Sequence, residues 1–259
     1  MRALLLALLA TGYALALSHG HLGLASLPAF ALLLCSGWLV QPARAHHWKV
    51  LGHALFVLTG VALALHWLPG FDNARIIDQA RFSPDAIPFS MNLNLDKPLI
   101  GFWLLLACPW IVMSRRPRPR LAALAAVLTS LACLGSAWLL GIVDWSAKWP
   151  PQAWLWTANN LLLVSLVEEA LFRGYLQGGL QCLFTPLRQG DNLALLLTAL
   201  LFGVAHVGGG WPWVVLATLA GIGYGLAWRH GGLPAALLAH FGLNLAHFTL
   251  FTYPLKAIP

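Results

Sequence analysis

Apolar runs of about 17 to 25 residues, the length a helix needs to cross roughly 30 Å of hydrocarbon, recur along the whole chain and leave no stretch for a soluble domain. They read as spans at about 3–18, 22–40, 49–69, 98–114, 121–143, 154–183, 193–207, 212–228 and 233–252. The expected fold is all-α, a polytopic membrane helical bundle of about eight to nine transmembrane helices. Only 9% of the residues are charged, against roughly 25% in a soluble domain. The formal charge of +7 suggests no nucleic-acid partner, because the basic residues lie in short connections between apolar runs, where they set orientation and meet anionic lipid headgroups.

Those connections divide the chain into two sequence regions of one integral membrane domain. Residues 1–150 read as N-terminal transmembrane helices with a polar outside loop at about 70–97, and residues 151–259 as a second set of helices that carries the chemistry. Arg44 and Lys49, then Arg115, Arg116, Arg118 and Arg120, then Arg188 and Arg229 alternate onto one side, which the positive-inside bias makes the cytoplasm. The N-terminus is then cytoplasmic. The first span, which follows Arg2, resembles the apolar region of a signal peptide and is read as uncleaved. The 70–97 loop holds Asp72, Asp78, Asp85 and Asp96 and reads as an ordinary solvated loop, with a folded cap or a substrate-contacting loop as the alternatives. Trp145, Trp149, Trp154, Trp211 and Trp213 suit an interfacial belt. Gly221, Gly223 and Gly225 suit close helix packing. Cys35, Cys108, Cys133 and Cys182 show no paired spacing and read as small core residues.

One run breaks the apolar pattern. "LVEEALFRGYL", residues 166–176, contains the chain's only two glutamates. An ionisable residue at mid-span costs roughly 2.5 to 3.5 kcal/mol on insertion scales, so Glu168, Glu169 and Arg173 need an offsetting role. Glu169 and Arg173, spaced i, i+4, share a helix face and can pair. Glu168 points about 100° away and is left over. Two later spans add His206, four residues after Phe202, and His240 with Asn244 at i, i+4, followed by His247. Singly, each suits a helix–helix hydrogen bond or a polar clamp. Together, a carboxylate, two imidazoles and an amide provide a base for water, a partner to orient it and donors for an oxyanion, as peptide hydrolysis requires. Ser165 is nearby but nothing marks it as an activated nucleophile.

At these residues the sequence resembles the CAAX-prenyl endopeptidase and bacteriocin-processing (CPBP, or abortive-infection) family. The family's EExxxR, FxxxH and HxxxN patterns match Glu168-Glu169-x-x-x-Arg173, Phe202-x-x-x-His206 and His240-x-x-x-Asn244 in order, over about residues 155–250. The resemblance implies an intramembrane glutamic endopeptidase. In it Glu168 and His206 activate water, His240 and Asn244 stabilise the oxyanion, Glu169 and Arg173 support the site, and Phe202 shapes the pocket. It implies the bilayer and a membrane-associated protein or peptide as partners, and a bacterial inner membrane as the setting. Lipidated CAAX-like tails, leader peptides and sorting signals all remain open as substrates. No cofactor is expected. Zinc, bound by one Glu and two His in some descriptions of the family, is disfavoured because Asn244 suits oxyanion donation and ligates zinc poorly. The nine spans and the long loop depart from the prenyl-protein branch. A catalytically silent immunity or scaffold protein of the same fold is the alternative; a proton-coupled transporter, which normally shows paired broken helices or inverted repeats, is the more distant one.

Overall fold

A computed structural model describes residues 2–112 and 117–257. Arg115 and Arg116, used above for orientation, lie outside the described residues. The chain is mostly helical and divides into two compact units, residues 1–76 with 92–109 and residues 77–91 with 110–259.

The expectation of an all-α bundle with eight to nine transmembrane helices is not met. Among the described residues three helices are long and apolar enough to cross a membrane: α3 (His46–Ala64), α5 (Pro119–Leu139) and α10 (Trp211–Leu250). Four of the expected runs form helices shorter than a full crossing, and local chemistry sets where each begins or ends. The first becomes α1 (Arg2–Ser18), stopped by Gly20 at φ +77°. The second opens with an extended bridge and a short 3₁₀ turn before α2 (Leu27–Leu39). The fourth ends as α4 (Lys97–Ala107), because Pro109 removes a donor and disfavours helical backbone before it. The expected span 193–207 falls on α9 (Gly190–Val204), which starts earlier and gives way to the Gly208–Gly210 run. The last two expected spans instead run together as α10, interrupted where Gly232 adopts φ 68°, ψ −163° just before Pro234.

The polar 70–97 segment corrects the all-α expectation too. Residues β1 (Ala74–Ala80) and β2 (Phe89–Leu93) pair as a two-stranded sheet. Within the first unit, Asp96 is almost fully buried, accepts from Lys97 N–H at 2.8 Å to cap α4, and holds His66 Nδ1 at 2.5 Å. There Trp103 stacks on Phe56 at 3.7 Å and donates from Nε1 to Leu33 O at 3.0 Å.

In the second unit α10 packs along α5 and α9. Its glycines are the points of close approach that the sequence suggested. A Cβ at Gly221 would meet Ala199 Cα at 3.1 Å, one at Gly223 would meet Thr129 Oγ1 at 1.7 Å, and one at Gly225 would meet Gln177 Oε1 at 2.7 Å. Residues past α10 fold back over the preceding loop: Thr252 N–H donates to Asp144 O at 2.8 Å and Lys256 N–H to Ile142 O at 3.0 Å.

Candidate functional site

The helical run that carries the two glutamates is not uniform. It passes through α6 (Ala153–Asn159), a π-helical segment Asn160–Ser165, α7 (Leu166–Glu169), a second π-helical segment Ala170–Gln177 and α8 (Gly178–Leu183). Wider i→i+5 turns are uncommon and gather at functional sites. Here they sit on both sides of Glu168 and Glu169.

Glu169 and Arg173 are fully buried, and Arg173 Nε donates to Glu169 Oε2 at 3.1 Å. The other carboxylate oxygen, Oε1, holds His240 Nδ1 at 2.9 Å. A carboxylate only accepts, so Nδ1 carries the proton. The link joins residues 71 apart in sequence. Arg173 Nη1 and Nη2 are buried without hydrogen-bond partners. The guanidinium carbon lies 5.0 Å from the Phe202 ring centroid, 5.9 Å from that of Tyr224 and 6.0 Å from that of Phe172, so aromatic faces supply what hydrogen bonds do not. Tyr224 also stacks on His240 at 4.7 Å and 12°.

Glu168 occupies the opposite situation. Its Oε2 is buried and has no hydrogen-bond partner, and its side chain lines a cavity of about 190 Å³. His206, His240 and Asn244 line the same cavity, whereas Glu169 and Arg173 do not. His206 follows the end of α9, and its Nδ1 lies 2.8 Å from Phe202 O. A carbonyl cannot donate, so Nδ1 again holds the proton; in the neutral ring Nε2 keeps its lone pair. The FxxxH spacing is thus the span of this ring-to-backbone bond. No direct hydrogen bond joins Glu168 to His206. Asn244 Nδ2 donates to Asn160 Oδ1 at 3.3 Å, and Ser165 Oγ donates to the same oxygen at 3.2 Å.

All six residues singled out in the sequence therefore fall in one region, four on the cavity and two behind it. Asn160, Trp213 and His247, not assigned to the site from sequence, line the cavity as well. Asn160 carried a readable signal, an amide in an apolar run eight residues before Glu168. Trp213 is a cavity residue, whereas Trp145, Trp149, Trp154 and Trp211 are exposed. Among the described residues no group of three or more His, Cys, Asp or Glu side chains is disposed to hold a metal ion.

No curated protein and no solved structure matches the chain. A family model described as Type II CAAX prenyl endopeptidase Rce1-like matches residues 150–246, the segment from just before α6 to just beyond Asn244. Over those residues the chain belongs to the Rce1-like, CPBP-type CAAX-protease family.

Proposed function

We propose that the second unit is a metal-free glutamic endopeptidase that hydrolyses a peptide bond of a membrane-associated protein or peptide. The observation that carries the reading is the half-buried Glu168, whose Oε2 is buried without a hydrogen-bond partner, on a cavity shared with His206, whose Nε2 lone pair is free. A water in that cavity is oriented by His206 Nε2 and loses its proton to Glu168 as its oxygen attacks the scissile carbonyl. Asn244 uses one amide N–H on Asn160 and has a second for the developing oxyanion. His240 donates to the same oxyanion from Nε2 when its ring carries both protons, and Glu169 offsets the resulting charge. Arg173 holds Glu169 in place through its Nε–Oε2 bond. The tetrahedral intermediate collapses as Glu168 returns its proton to the leaving amine, so water is added across the bond and the enzyme is restored.

The test compares new protein termini, by mass spectrometry, in membranes carrying the wild type or Glu168→Gln at equal expression. Termini present only with the wild type are expected, since a positioned base contributes roughly 10² to 10⁴ in rate. Identical termini would overturn the reading. Stoichiometric zinc in the purified wild type, lost in His206→Ala, would overturn the metal-free mechanism.

A further inference from the structure

A second cavity, of about 340 Å³, lies where α8 turns into α9, away from Glu168. Gln181, Arg188, Asp191 and Asn192 line it, and three of these present unmet polar chemistry or exposed charge. Gln181 is 5% exposed, and its Oε1 is buried without a hydrogen-bond partner. Arg188 and Asp191 are exposed on the cavity wall, and no ion pair joins them to each other. The fourth residue is fixed in place: Arg229 donates from Nη1 to Asn192 Oδ1 at 3.0 Å and from Nη2 to Asp191 O at 2.8 Å. Beside Arg229, His230 O accepts from Arg118 N–H at 2.7 Å, next to the start of α5, one of the helices able to cross a membrane. The cavity is thereby tied to the polar end of a membrane helix.

The exposed Arg188 guanidinium, the exposed Asp191 carboxylate and the buried Gln181 Oε1 are complementary to a zwitterion that brings an anion and an N–H donor together. We propose that this cavity binds a phosphoethanolamine group, carried by phosphatidylethanolamine at the membrane surface. The phosphate pairs with the Arg188 guanidinium, whose planar donors suit phosphate oxygens. The ammonium donates to the Asp191 carboxylate and to Gln181 Oε1, satisfying the buried oxygen. A choline headgroup has no N–H to give, and a glycerol headgroup has no positive charge, so neither meets both ends of the site. Nothing in this assignment depends on proteolysis.

The experiment is native mass spectrometry of the full-length protein released from mixed micelles holding equal amounts of phosphatidylethanolamine, phosphatidylcholine and phosphatidylglycerol. The wild type is expected to retain phosphatidylethanolamine roughly tenfold or more over phosphatidylcholine, the ratio that a lost hydrogen bond between charged groups implies. Asp191→Asn should shift retention toward phosphatidylglycerol, and Arg188→Gln should remove selective retention of all three. Soluble O-phosphoethanolamine that displaces the lipid would assign the site to the free headgroup, and failure to displace it would assign the site to the lipid. Equal retention of the three lipids by the wild type, or an unchanged preference in a folded Asp191→Asn, would overturn the proposal.

Discussion

Replacing Glu169 with Gln keeps the shape of the side chain and removes the countercharge that Arg173 contacts. Arg173 is completely buried, its single hydrogen bond runs to Glu169 Oε2, and its two remaining nitrogens have no partner. Breaking such a pair from one side costs about 3 to 5 kcal/mol, because it leaves a buried charge uncompensated. The surrounding rings return only about 0.5 to 2 kcal/mol. The folding constant should therefore fall by roughly two to three orders of magnitude. Removing the charge from both sides is a different matter. Glu169→Gln combined with Arg173→Met exchanges a desolvated ion pair for neutral groups of similar volume, and is expected to lie within about 1 kcal/mol of the wild type. The assay is a double-mutant cycle measured by equilibrium unfolding in dodecyl sulfate mixed micelles, followed by tryptophan fluorescence. A single variant that costs less than about 1 kcal/mol, or a double variant as costly as the two singles summed, would refute the charge argument.

Glu168→Gln should behave in the opposite way in the same unfolding assay: with no partner to lose and a buried carboxylate oxygen relieved of its charge, it is expected to be at least as stable as the wild type. Gly174→Ala should cost about 1 to 3 kcal/mol by overpacking, since the new Cβ would lie 2.1 Å from Ile111 Cγ2, and Ile111→Ala in the same chain should recover most of the loss. Lys148 gives a pH signature. Burial lowers its amine to about 8 from 10.5, against an opposing pull from Asp85. Between those two values the unfolded chain holds a proton that the folded chain has released, so stability rises with pH across the window. The rise should be smaller in Lys148→Met when unfolding is followed from pH 7.5 to 10.5.

Much of the site was legible because the relevant rules are local. The i, i+4 spacing forecast the Glu169–Arg173 pair, and the 100° rotation between neighbours forecast that Glu168 would be left without it. The Glu169–His240 bond was not legible: it joins distant helices and depends on tertiary packing rather than on spacing. Nor was the role of Asn160 as the shared acceptor for Asn244 and Ser165, since Ser165 lies five residues away, a π-helical rather than an α-helical interval. The number of spans failed for a different reason. Hydropathy measures how apolar a window is, whereas helix length is set by the breakers inside it, such as Pro109 after α4 and the glycines after α9. In the 70–97 segment, polarity was read as a sign of a loop, although the alternating pairing of residues 74–80 with 89–93 needs no apolar run.

The two wide turns around Glu168 and Glu169 also bear on how this chain can change in length. Each holds slack that an ordinary helix lacks, so deleting one residue within 160–165 or 170–177 can be absorbed by tightening to α-helical pitch. A deletion within 166–169 has no such outlet and would turn the carboxylates against everything downstream. Homologues that differ here by a single residue should therefore place the gap in the flanking turns and leave the glutamate pair in register with its distant histidine.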